Sequence, residues 1–182
     1  MKKKTILLLT TLALVIALFA GCTAGPNGGT QQPGGDKQPD AQTSASIVND
    51  ETAFIKAIGK DGTWIVCTLN DLDIDQDLVV EGDFHDKGDD SKDLYRKIAL
   101  CTQDDNHKIT DRFKLTAPKL TVKSPNTKIS GGTFVGDIYV ESKGFTLEDA
   151  TVEGNVYFAT QEDQDSADLG GGTVSGESKV QE

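Results

Sequence analysis

Two short segments concentrate the side chains that could hold a metal ion. Asp83 to Asp93 reads DFHDKGDDSKD, and Gln103 to His107 reads QDDNH. Together they gather Asp83, Asp86, Asp89, Asp90, Asp104, Asp105 and both histidines, His85 and His107. Carboxylates in this number suit Ca2+, and added imidazoles suit a transition metal. The candidate ligands are Asp86, Asp104, His85 and His107. The spacing matches no EF-hand or RTX repeat, so nothing fixes ligand geometry, and a solvated acidic face is the favoured reading. Beyond Ca2+ no cofactor is expected. Asp71, Asp73, Asp75 and Asp77 alternate with Leu72, Ile74 and Gln76, which places these carboxylates outward on one strand. General acid–base work needs a poised pair, and nothing singles one out. The two arginines, Arg96 and Arg112, have no recognisable catalytic constellation around them. No Ser-His-Asp set, CxxC pair or phosphate loop is present, so no catalytic residue is assigned.

These groups are positioned by a repeat, which is expected to put the two acidic segments on corresponding turns of adjacent coils. Written in rows of 18 from Leu120, the chain aligns Leu120, Ile138 and Val156, and also Val122, Val140 and Phe158. Ile129 falls with Leu147, Phe134 with Val152, and Gly136 with Gly154. Upstream, Leu78-Val-Val80 fits the same pattern, and Ile98-Ala-Leu100 is matched to Leu120-Thr-Val122. A faint copy, Val174 to Val180, lies downstream. Apolar residues alternate within rows, with turns at Gly, Asn, Asp and Pro between them, which is strand periodicity. A row of short strands cannot bury its apolar side alone, but stacked rows about 4.8 Å apart can. The expected fold is all-β, a right-handed parallel β-helix of about six coils of roughly 18–22 residues. Asn49 or Asp50 starts a short helix with Phe54, Ile55, Ala57 and Ile58 on its apolar face and Gly59 as its stop, read as an N-terminal cap. Residues 161–182 are polar and Gly-rich and are expected to be only partly ordered.

The same rows place Tyr139 and Tyr157 in one outward column as a surface contact, where they either stabilise neighbouring strands or meet a sugar. They also align Cys67 with Cys101 two coils apart, about 9–10 Å. That is too far for a disulfide, so free thiols are favoured, although an extracytoplasmic address would favour pairing.

The chain carries 29 Asp plus Glu against 18 Lys plus Arg, a formal charge of -11. Lys2, Lys3 and Lys4 precede an uncharged run from Ile6 to Phe19, which reads as an export signal rather than a spanning helix. Without that segment the balance becomes 15 cations against 29 anions, or -14. Such a surface repels phosphates, so nucleic acid is a poor partner. Leu18-Phe19-Ala20-Gly21-Cys22 resembles a bacterial lipoprotein lipobox, which implies that Cys22 is acylated and becomes the mature N-terminus. Residues 23–46, rich in Gly, Pro, Gln, Ser and Thr, suit a flexible leash. The expected organisation is a signal peptide at 1–21, a lipidated Cys22 and tether at 22–46, and a β-helix domain at 47–182. The address is extracytoplasmic, with the membrane as partner through the lipid.

Val135-Gly136-Asp137-Ile138 and Glu153-Gly154-Asn155-Val156 resemble the rungs of bactofilins, whose β-helices polymerise end to end, over about residues 117–160. The helix at 50–58 resembles the start of secreted β-helices, including polysaccharide lyases. The resemblances imply a lipid-anchored β-helix that acts as a non-enzymatic scaffold or as an interaction and assembly module. Its further partners would be copies of itself or an envelope protein or glycan. The alternative is a glycan-binding or lyase-like protein using acidic residues and Ca2+.

Overall fold

Parallel β-bridges organise the computed structural model, which describes residues 45–181. Residues 1–44, on which the expected signal peptide, lipidated Cys22 and most of the expected tether fall, lie outside the described residues. No helix among the described residues is long and apolar enough to cross a membrane. In chain order the first elements are β1 (Ala45–Val48), α1 (Glu51–Ile58), β2 (Ile65–Thr68), β3 (Leu72–Asp73), β4 (Leu78–Val80) and β5 (Arg96–Ala99). A hairpin of β6 (Cys101–Gln103) and β7 (Ile109–Arg112) follows. The remainder comprises β8 (Lys114–Val122), β9 (Thr127–Ser130), β10 (Thr133–Val140), β11 (Thr146–Glu153), β12 (Val156–Phe158), α2 (Gln161–Asp165), β13 (Asp168–Val174) and β14 (Ser178–Val180).

The structure is mostly β. Its main sheet is curled and parallel, with a longest path of β1-β2-β5-β9-β11-β10-β12-β14. Three register lines run through it. Val66, Ile98, Ile129 and Leu147 pair in succession. Leu72 pairs with Leu115, which leads to Phe134, Val152 and Val174. Leu78 pairs with Leu120, followed by Ile138, Val156 and Ser178. Apart from the half-buried Val174 and the exposed Ser178, these side chains are buried and belong to one core with Val80, Val122, Val140 and Phe158. Each such Val, Leu, Ile or Phe contributes about 1.5–3 kcal/mol of burial. Alternation puts the polar partners on the outer face, so the sequence period of two is read directly as in and out.

Helix α1 forms where the sequence signals it. The Asp50 side chain accepts from the Ala53 N–H at 2.9 Å, and Phe54, Ala57 and Ile58 are buried. Gly59 ends it. At the far end α2, β13 and β14 are defined elements, so residues 161–181 are more regular than their polar composition suggests.

Three expectations fail on register. Ile98 pairs with Ile129, not with Leu120, whose upstream partner is Leu78. The reason is that the chain leaves the sheet twice, at residues 82–95 and 101–112, and neither excursion keeps the 18-residue period. Cys67 and Cys101 are consequently not two levels apart in one column. Cys67 lies opposite Ala99 on the adjacent strand, with Cys101 just beyond it, and both thiols are free. The acidic segments do not occupy corresponding turns of adjacent levels either; they form the two excursions at opposite ends of β5.

Candidate functional site

Strand β5 is the floor of the most elaborated surface of the domain. The first excursion is a short antiparallel hairpin. The Tyr95 N–H donates to the Phe84 carbonyl at 2.7 Å, His85 bridges Leu94, and the Asp86 N–H donates to the Asp93 carbonyl at 3.2 Å. Asp86 and Asp93 are thereby cross-strand partners. At its tip Lys87 and Gly88 have positive φ values, and the Asp89 carboxylate accepts from both the N–H and the hydroxyl of Ser91. Those bonds hold the Asp89 carboxyl below its usual range.

Arg96 ties this hairpin to the core. It is fully buried, and its guanidinium donates to the carbonyls of Ala57 at 2.7 Å, Gly59 at 3.3 Å and Glu81 at 3.2 Å. The cation therefore serves the carbonyl end of α1, where positive charge is favoured. It also lies 4.0 Å over the ring of Phe84. Burial lowers its pKa to about 10, so it remains charged at neutral pH.

The second excursion is the β6–β7 hairpin, with Cys101 opposite Arg112 and Thr102 opposite Asp111. Its turn is built on Asp104, whose carboxylate accepts from the N–H groups of Asn106 and Lys108, each at 2.9 Å. His107 takes the left-handed conformation there, at φ 60.

Between the hairpins the outward side chains of β2 and β5 form a trough. On one side a cleft of about 450 Å3 is lined by Trp64, Tyr95, Asp86, Asp93, Ile65 and Lys97. On the other a cleft of about 230 Å3 is lined by Cys67, Leu69, Cys101, His107 and, again, Ile65 and Lys97. Ile65 and Lys97 line both clefts, which therefore adjoin along the strand. The Trp64 and Tyr95 rings stand 6.1 Å apart at 41°. Burial, then Glu148 and Asp86, pushes the Tyr95 hydroxyl up to about 12. Burial likewise pushes the Cys67 thiol up to about 11 and raises that of Cys101. Thiols of this kind are protonated at neutral pH and make poor nucleophiles.

The residues singled out from sequence divide between this trough and other tasks. His85 and Asp86 lie on one hairpin, Asp104 and His107 on the other. The His85 Nδ1 is 2.5 Å from the Lys92 carbonyl, which fixes it as the donor, and Asp86 pairs with Lys92 at 3.6 Å. Among the described residues no three His, Cys, Asp or Glu side chains come together as a cation site. Asp71, Asp73, Asp75 and Asp77 are exposed; Asp71 accepts from the Lys114 N–H at 2.8 Å, and Asp77 pairs with Lys119 at 2.9 Å. Tyr139 and Tyr157 are register partners with ring centroids 5.0 Å apart. Lys119 lies over the first ring at 5.6 Å and Lys179 over the second at 6.0 Å. Ring faces engaged in this way stabilise neighbouring strands and leave edges and hydroxyls outward.

Sequence reasoning did not single out Trp64, Tyr95 or Lys97. Trp64 and Tyr95 each stand immediately before a strand, at the entries to β2 and β5, and that shared position was the available signal. Comparison with protein-family models, curated proteins and solved structures returns no match.

Proposed function

We propose that this chain is a lipid-anchored, extracytoplasmic bacterial protein whose domain is a right-handed parallel β-helix working as a non-enzymatic interaction and assembly module. In this reading the six coils are β1; β2-β3-β4; β5 and β8; β9-β10; β11-β12; and β13-β14. The observation that carries it is the stacking of like on like along three register lines, from Leu78 through Leu120 and Ile138 to Val156. A strand–crossover–parallel strand connection is right-handed in nearly all cases. The outer face is supplied with internal ion pairs, such as Lys123–Glu141 at 3.9 Å and Lys128–Glu148 at 3.0 Å, that suit a hydrated display surface. The lipobox-like Leu18 to Cys22 supplies the anchor, and the bactofilin-like rungs suggest self-association as one form of assembly.

The deciding experiment is incubation of the full chain with polyuronates and Ca2+. A scaffold yields no ultraviolet-absorbing unsaturated product, and appearance of that product makes the protein a lyase. Metabolic palmitate labelling that is lost in Cys22→Ser supports the anchor, and labelling that survives the substitution refutes Cys22 as the acylated residue. Removal of one period, residues 138–155, should leave a β-rich circular dichroism spectrum and a cooperative melt; an unfolded product would refute stacked coils.

A further inference from the structure

The trough over β5 is the part of the domain that the repeat does not explain. A minimal stack needs neither excursion, yet both hairpins are internally bonded and one is pinned to a buried cation. We propose that this trough binds a neutral oligosaccharide, with Trp64 and Tyr95 forming an aromatic wall and Asp86, Asp93 and Lys97 meeting hydroxyl groups. The inference deepens the interaction-module reading by naming a ligand class, and depends on neither lipidation nor self-association.

Lining chemistry selects the ligand. Two aromatic side chains at 6.1 Å and 41° offer apolar surface with polarised edges, suited to the C–H face of a pyranose. The carboxylates of Asp86 and Asp93 only accept, and the Lys97 ammonium only donates. A sugar hydroxyl does both, so one ligand type satisfies the whole set. A purely apolar ligand would strip water from three charged groups and return no hydrogen bonds. An anionic glycan would meet two carboxylates in a domain (residues 47–182) of formal charge -13. A compact organic cation would sit against Lys97, while Lys92 already compensates Asp86 at 3.6 Å.

Size and shape agree. At about 450 Å3 the aromatic cleft lies in the usual range for small-ligand sites. The Cys67 and His107 cleft adjoins it across Ile65 and Lys97, so a short chain laid along the surface would meet both clefts in turn. The four residues of β5 span about 13 Å between the two walls. The Tyr139–Tyr157 ladder differs in having a lysine over each ring, at 5.6 and 6.0 Å.

Trp64 is the only tryptophan of the chain, so its emission reports on the wall itself. The full chain, held in a detergent without a sugar headgroup, would be titrated with cellotetraose and with N-acetylated chitotetraose. The proposal expects a saturable change in Trp64 emission with at least one of them. Tyr95→Ala and Asp93→Ala should each weaken binding about tenfold or more, while Tyr139→Ala should leave it unchanged. Asp93 is exposed, so its variant preserves the hairpin if Tyr95→Ala loosens it. Absence of saturation with both tetrasaccharides overturns the proposal. So does parental affinity in Asp93→Ala, or tighter binding of tetramethylammonium or a tetragalacturonate than of the neutral chains. None of these failures bears on palmitate labelling, lyase assay or coil deletion.

Discussion

Replacing Arg96 tests how the buried cation joins the end of α1, Glu81 and the Phe84 ring of the first hairpin to the sheet. Arg96→Ala removes three charge-assisted hydrogen bonds and the contact over Phe84. Two of the abandoned carbonyls keep backbone partners, since Ala57 also accepts from Thr63 N–H at 3.3 Å and Gly59 from Gly62 N–H at 3.0 Å. The loss is therefore concentrated on the Glu81 carbonyl, at about 2 kcal/mol for a bond to a cation. The desolvated cation–π contact adds about 2 kcal/mol, and the space left behind about 2 kcal/mol more. Against this, the variant no longer desolvates a charge that has no carboxylate partner, a relief of several kcal/mol. The net cost should be about 2–4 kcal/mol, which lowers Tm by roughly 5–15 °C for a domain of this size. Arg96→Met fills most of the volume and avoids the buried charge, so it should cost about half as much. Arg96→Lys keeps the desolvation cost without the fork that spans three carbonyls, so it should be no better than Met. Urea melts of the full chain give the ranking, and hydrogen exchange at the Tyr95 N–H shows whether the hairpin opens first. A Lys variant within about 0.5 kcal/mol of the parent would refute the role given to the guanidinium geometry.

Other outcomes follow from positions with a single dominant constraint. Gly136 has φ 134, and a Cβ there would stand 1.9 Å from the Ala117 carbonyl oxygen, so Gly136→Ala should cost about 2 kcal/mol or more in a urea melt. The Cys67 thiol is raised to about 11 from 9.0, so its contribution to stability is complete below pH 9 and is lost as pH rises through 11. The stability difference between parent and Cys67→Ala should shift against the parent over that window, and a pH-independent difference would contradict it. A double-mutant cycle on Tyr139→Ala and Tyr157→Ala should give a coupling of about 0.5–1.5 kcal/mol, and additive effects would mean that the stack is incidental.

What could be read from the sequence depended on whether the period was intact. From Leu115 onward the levels are joined by short connections, and the matched columns Ile129/Leu147 and Phe134/Val152 are true register partners. Upstream the excursions broke the count. Ile98-Ala-Leu100 and Leu120-Thr-Val122 share an alternation, and alternation alone cannot tell which of three register lines a strand joins. The turn-rich Asp104-Asp105-Asn106-His107 between Thr102 and Ile109 was the hairpin signal that would have moved Ile98 to its partner Ile129. Arg96 was illegible for a different reason: an arginine is ordinarily exposed, and only the arrangement of Ala57, Gly59 and Glu81 around it makes burial favourable. The trough was hidden because its walls come from segments joined only through the floor strand.

The uneven spacing of the register partners also sets an order of events as the chain grows. Val140 finds Phe158 after 18 residues, whereas Val80 waits 42 residues for Val122. Loop closure favours the shorter span by about 0.8 kcal/mol per contact, and stacked levels propagate from whichever neighbours meet first. The segment around β10, β11 and β12 is thus the natural nucleus, and β3 and β4, 42 or more residues from their partner β8, add to it last although they are synthesised earlier. Until then β3 and β4, whose partner is β8, present unpaired edges, so the interval between synthesis of Val80 and arrival of Val122 is when this protein is most exposed to mispairing with other chains.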